Sequence, residues 1–201
     1  MYKFPLMKNN ITRSDLNKVV DYLKLKDPVL TQSLNVKKFE KKWSNWLGVK
    51  YSVFVNSGSS ANLLSMTVIR QLFGHGEIIL PSFTWVSDIS SAIQNNFDLK
   101  FVDINLRNLC MNENNIIKSI NSKTKAVFIT YAQGFNGLTN SLLKELKNRK
   151  IPLIEDVCES HGAKFKSKKL GSYGLISNFS FYYAHHMTTI EGGMAGGRIM
   201  L

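Results

Sequence analysis

Residues 51–62 read YSVFVNSGSSAN. Tyr51 to Val55 is a short, mostly apolar run with the length and residue types of a buried strand. Asn56, Ser57 and Gly58 break it, and a helix is expected from Ala61 to about Phe73. Gly58 permits a tight turn between the two. Ser59 and Ser60 place hydroxyls beside the free backbone N–H groups of a helix N-terminus, an arrangement that binds anions. Taken alone, the turn reads equally well as a plain N-cap of a strand–helix unit.

The same alternation extends downstream. Strand-like runs recur at 77–81 (EIILP), 99–104 (LKFVDI), 125–131 (KAVFITY) and 151–156 (IPLIED). Helical segments are expected between most of them, near 84–96, 112–121 and 139–149. Strands alternating with helices imply an α/β fold, with a mostly parallel sheet covered on both faces. Upstream, residues 12–26 carry Leu16, Val19, Val20 and Leu23 at helical spacing, with Ser14 as the expected N-cap. Residues 34–47 repeat the pattern through Leu34, Phe39, Trp43 and Leu47, and Gly48 is a natural stop. The chain therefore divides into an N-terminal helical segment, 1–50, and one α/β domain, 51–201.

The formal charge of +12, from 26 Lys and Arg against 14 Asp and Glu, raises nucleic-acid binding. The lysines are scattered, and the denser runs at 37–42 and 164–169 read as solvated faces, so no nucleic-acid partner is expected. No stretch of 18 or more apolar residues occurs, and MYKFPLMKNN has no apolar signal core, so neither a membrane span nor export is expected. Cys110 and Cys158 are too few for a disulfide framework, which makes the cytoplasm the default location.

Three further stretches hold chemistry-bearing residues. LPSFTWVS (80–87) presents Trp85, by itself more often a core residue than a stacking platform. IPLIEDVCESHGA (151–163) puts Asp156 at a strand's carboxyl end, where ligands of parallel sheets collect. Glu155 should point to the opposite face. Cys158 reads as a packing residue, and His161 as either a pocket edge or, the favoured reading, a loop histidine with satisfied hydrogen bonds. FSFYYAHHMTTIEGG (179–193) contains Ser180, the pair His185–His186 and a Glu–Gly–Gly turn.

Together, SGSSAN, Trp85, EDxxE, SFYxxH and EGG resemble the sugar aminotransferase and sugar 3-dehydratase family of pyridoxal 5'-phosphate (PLP) enzymes. The resemblance covers roughly residues 4–194. It implies the large domain of the aspartate-aminotransferase fold (type I), three αβα layers with a mostly parallel sheet, incomplete here and with the C-terminal small domain absent. It implies that Gly58, Ser59, Ser60 and Ser180 hold the cofactor phosphate and that Trp85 stacks on its ring. Asp156 would pair with the ring nitrogen, and Glu159 would lie near the 3-oxygen. The family's aminotransferases carry a lysine five residues after the serine, and here that position is His185. Imidazole cannot hold PLP covalently but moves protons near neutral pH. The resemblance is thus to the dehydratase branch, which binds the amine form (PMP) without a covalent link.

That branch implies a catalytic His185, with His186 the weaker candidate, and no protein-bound metal. The substrate would be a nucleotide-linked 4-keto-6-deoxyhexose that loses its C3 hydroxyl, for a cell-surface polysaccharide. Glutamate is a possible amino donor; a second subtype takes electrons through an iron–sulfur cluster. A homodimer is expected. Two alternatives remain: an aminotransferase using Lys164 or Lys166, or a truncated, non-catalytic fragment.

Overall fold

The computed structural model describes residues 9–199. The elements, in chain order, are α1 (Arg13–Leu23), α2 (Leu34–Leu47), β1 (Tyr51–Val55), α3 (Gly58–Phe73), β2 (Glu77–Pro81), α4 (Val86–Gln94) and β3 (Asp98–Val102). There follow α5 (Glu113–Ser119), β4 (Thr124–Thr130), α6 (Asn140–Arg149), β5 (Leu153–Asp156), β6 (Lys164–Phe165), β7 (Lys168–Lys169), β8 (Ile176–Ser180) and β9 (Gly193–Gly197). Seven strands form one sheet in the order β1-β9-β8-β5-β4-β2-β3, while β6 and β7 make a separate two-residue hairpin. All seven run parallel except β9, which is antiparallel to both β1 and β8.

Alternating side chains split the core into two layers. Ile78, Leu80, Ala126, Phe128, Ile154 and Ile176 point to one face and pack with Met66 and Ile69 of α3 and Ala92 of α4. Ile79, Val127, Ile129, Leu153 and Phe179 point to the other and pack with Trp43 and Leu47 of α2, Ile116 of α5, and Leu142 and Leu146 of α6. This is the expected αβα arrangement, and the carboxyl end of every strand of the sheet except β9 lies toward one edge.

Local differences have physical causes. The N-cap of α1 is Thr12, not Ser14: the Thr12 hydroxyl accepts from the Asp15 N–H while the Thr12 N–H donates to the Asp15 carboxylate at 2.9 Å. The apolar side of α1 is solvent-facing, with Leu16, Val19, Val20 and Leu23 each 41–58% exposed. Strand β1 is half-buried throughout, not buried, because it lies at the sheet edge; Glu40 of α2 accepts from its Phe54 N–H at 2.9 Å. Helix α3 begins at Gly58, three residues before the expected Ala61, because Ser57 caps it. Gly48 ends α2 as expected, with φ 85 in the left-handed region. Among the described residues, no helix is long and apolar enough to cross a membrane.

Candidate active site

A cavity of about 1090 Å³ opens at the carboxyl edge of the sheet. Five strands deliver residues to it: β1 through Ser57, Gly58 and Ser59, β2 through Thr84 and Trp85, β4 through Thr130, β5 through Asp156, Cys158 and Glu159, and β8 through Ser180 and His185. Of the eight site residues expected from sequence, seven line this one cavity. Ser60 does not: its hydroxyl donates to Asn56 Oδ1 at 2.5 Å, turned away from the cavity wall. The turn presents Ser57 instead, whose hydroxyl accepts from the Ser60 N–H at 3.1 Å and so caps the helix.

The floor is built for close approach. A Cβ on Gly58 would stand 2.7 Å from Ser180 Cβ and 3.1 Å from Cys158 Sγ. On Gly193 it would stand 2.3 Å from the Ser57 carbonyl oxygen and 2.7 Å from the Gly58 nitrogen. Two glycines therefore let β9 and β8 pass directly beneath the α3 N-terminus. The α3 N–H groups, with Ser59 and Ser180 beside them, form a cradle suited to a phosphate. A planar phosphorylated cofactor fits this donor set, and Asp156 and Trp85 line the same cavity. Trp85 is 67% exposed, so one ring face is available.

Asp156 is 3% exposed, and its Oδ1 accepts from the Cys158 N–H at 2.9 Å. Asn62 Nδ2 lies 3.4 Å from its Oδ2 and 2.6 Å from Oδ1 of Asp88, a fully buried acid of α4. Burial first, then the neighbouring Asp156, pushes the Asp88 carboxyl well above the usual range. Glu159 accepts from the Gln133 N–H at 3.1 Å, where Gln133 itself has φ 54. Burial lowers the basicity of His185, and the nearby Glu159 and Asp156 carboxylates partly oppose this. Lowered from its ordinary range, the ring is neutral at pH 7. The His185 N–H bonds the Tyr182 carbonyl at 3.0 Å. Ile190, in the same loop, has φ 74, unusual for a β-branched residue.

His161 departs from expectation. Neither ring nitrogen has a hydrogen-bond partner among the described residues. The ring lies between Trp43 (5.9 Å) and Phe181 (5.7 Å) on one side and His185 (6.2 Å) and His186 (5.8 Å) on the other. Burial first, then the two neighbouring histidines, pushes its pKa down to about 3, so it stays neutral. Sequence reasoning also missed Asn62, Asp88 and Thr130. The one available signal was the run of small polar residues Ser87, Asp88 and Ser91 on the face of α4 that is buried.

A glycine-floored helix N-terminus and a strand-end aspartate at the carboxyl edge of a parallel sheet are features of cofactor-binding α/β proteins. The chain belongs to the DegT/DnrJ/EryC1/StrS aminotransferase family, whose model matches residues 9–196. It is 32% identical over 198 residues to the GDP-4-keto-6-deoxy-D-mannose 3-dehydratase of Yersinia pseudotuberculosis, covering 96% of this chain and 50% of that protein. The structure of the Escherichia coli GDP-4-keto-6-deoxy-D-mannose 3-dehydratase with bound hydrated PLP matches with a TM-score of 0.92 at 31% identity, over 99% of this chain and 52% of that one. Helicobacter pylori PseC, an aminotransferase involved in pseudoaminic acid biosynthesis, matches with a TM-score of 0.89 at 26% identity, over 98% and 53%. The chain spans about half the length of the curated relatives it matches.

Proposed function

We propose that this chain supplies the PMP-binding part, residues 51–201, of a sugar 3-dehydratase, preceded by a helical segment over 1–50. The substrate would be a nucleotide-linked 4-keto-6-deoxyhexose, in deoxysugar biosynthesis for a cell-surface polysaccharide. The observation that carries this reading is the histidine at 185, on the cavity wall together with Ser180 and Asp156. Lys164 and Lys166, the candidates for an aminotransferase, sit at the β6–β7 hairpin, outside that wall. The relatives named 3-dehydratase support the same assignment. One solved relative carries a trapped PLP–glutamate geminal diamine, which supports glutamate as amino donor. A cytoplasmic homodimer completes the proposal.

When bound, PMP would supply the amine that condenses with the C4 ketone and the ring that accepts electrons as the C3 hydroxyl leaves. Ser59, Ser180 and the α3 N–H groups would fix the phosphate and so the ring's position. Asp156 would hold a proton at the ring nitrogen. Glu159 would orient the 3-oxygen side, and Trp85 would cover the exposed ring face. A ring nitrogen of His185, neutral near pH 7, would accept a proton on the cofactor side and return it toward the leaving hydroxyl. Histidine moves protons as lysine does but cannot trap the cofactor covalently.

The test is intact mass after incubation with PLP and borohydride reduction, with an absorbance spectrum of the unreduced sample. Bound cofactor without a covalent adduct is the expected result. A phosphopyridoxyl adduct on one defined lysine would overturn the dehydratase reading in favour of transamination.

A further inference from the structure

Asp88 lies beneath the cavity, fully buried, and no step above uses it. Its Oδ2 contacts the hydroxyls of Thr84 and Thr130, the latter at 2.9 Å, and those two hydroxyls contact each other at 2.6 Å. Three oxygens thus form a closed ring of three contacts. Each contact needs one proton to be a hydrogen bond. Two threonines supply two. An ionised Asp88 supplies none, which would leave one pair of oxygens meeting lone pair to lone pair at hydrogen-bonding distance. A protonated Asp88 supplies the third and closes the ring.

The other side of Asp88 agrees. Its Oδ1 accepts from Asn62 Nδ2 at 2.6 Å, and the same amide nitrogen lies 3.4 Å from Asp156 Oδ2, so one nitrogen sits against both carboxyls. The titratable groups facing Asp88 are Asp156 of β5 and the Cys158 thiol that follows it, with Asn62 from α3 and Thr130 from β4 completing the surroundings. None of these is cationic. Two adjacent buried carboxylates without a cation do not both ionise.

We propose that Asp88 is held as a neutral carboxylic acid in a hydrogen-bonded ring with Thr84 and Thr130, a positioning residue that leaves Asp156 the charged member of the pair. The role in catalysis rests on the reading of Asp156 as partner of the ring nitrogen. With Asp88 neutral, the site offers that nitrogen one negative charge, placed by Asn62, and not two.

The protonation state is tested on the chain without cofactor. The wild-type minus Asp88→Asn infrared difference spectrum at pH 7 is expected to show a protonated-carboxyl C=O band that shifts in D2O. The melting temperature of Asp88→Asn relative to wild type is expected to rise between pH 5 and pH 8. The unfolded wild type ionises this acid near its ordinary pKa while the folded state keeps it protonated, so wild-type stability falls with pH and the variant escapes that loss. Thr130→Val, which keeps the acid but removes a hydroxyl that donates to its carboxylate, is expected to retain the band. No protonated-carboxyl band, or a relative melting temperature that falls with pH, overturns the proposal. PLP titration of the same proteins separates the two readings. If the band is present and PLP does not bind, Asp88 is neutral as proposed and the cofactor assignment fails.

Discussion

Glu155 and Asp156 are consecutive on β5, yet their carboxyls serve opposite layers of the molecule. Asp156 faces α3 and the cavity. Glu155, fully buried on the other face, accepts from the Tyr131 hydroxyl at 2.9 Å and from the N–H groups of Gly171 (2.8 Å), Tyr173 (2.9 Å) and Gly174 (2.5 Å). One acid lines the cavity and its neighbour holds the loop leading into β8. The pleat of the strand alone separates the roles.

Glu155→Ala should therefore be a stability mutation. It strands four donors around a fully buried carboxylate position, at a cost of about 3 kcal/mol or more. Thermal denaturation should show a large loss of melting temperature or failure to fold. A near-wild-type melting temperature would mean that the loop finds other acceptors.

Asp156→Asn should leave the fold intact and weaken cofactor binding. Loss of a charged partner for the ring nitrogen should lower PLP affinity at least tenfold, about 1.4 kcal/mol. Fluorescence or absorbance titration measures it. Unchanged affinity would move the ring nitrogen away from Asp156.

Gly193→Ala should damage the phosphate cradle from below. The added methyl meets backbone at 2.3 Å, which no side-chain movement relieves. A loss of about 1–3 kcal/mol from overpacking is expected in denaturant titration. PLP affinity should fall with it, because the atoms displaced are those of Ser57 and Gly58. Gly48→Ala, where nothing stands within 4 Å, should leave PLP affinity unchanged.

His161 should make the protein acid-sensitive. With its pKa pushed down to about 3 in the folded state against about 6.5 unfolded, the unfolded chain binds the extra proton first. Stability is then full above about pH 6.5 and falls as pH drops toward 3, by at most about 1.4 kcal/mol per pH unit. His161→Phe should flatten that slope when melting temperature is followed from pH 7 to pH 5. An unchanged slope would place the acid sensitivity elsewhere.

The central strands were legible because EIILP, KAVFITY and IPLIED are apolar enough to be buried on both faces. Strand β9 was not, since GMAGG lacks the bulk that marks a strand; it is set by where it must pass, between β1 and β8 and under a turn that leaves no room for a side chain. The β6–β7 hairpin hides in KFKSKK for the same reason, its residues being mostly solvated. Among candidate site residues, those in the spaced motifs came together at one cavity. Ser60 did not, because which of three adjacent serines faces the cavity depends on where α3 begins. Asn62 was invisible and Asp88 was marked only by the small polar residues beside it on α4, since nothing else in a helix marks a polar residue whose partners lie on other elements. The side chains on α1 were legible as a helical stripe, but no pattern in one sequence says what covers it.

The position of β9 also governs the order in which the domain can assemble. Strand β1 is made early, but its pairing partner lies more than a hundred residues later, at Gly193–Gly197. During synthesis, β1 must wait with its hydrogen-bonding edge open until nearly all of the other strands have emerged. The pairing has high contact order, and its loop-closure cost is met late. The turn between β1 and α3 acquires its floor only when β9 is in place. Pairing of β1 with β9 and closure of the floor beneath that turn are therefore one folding event.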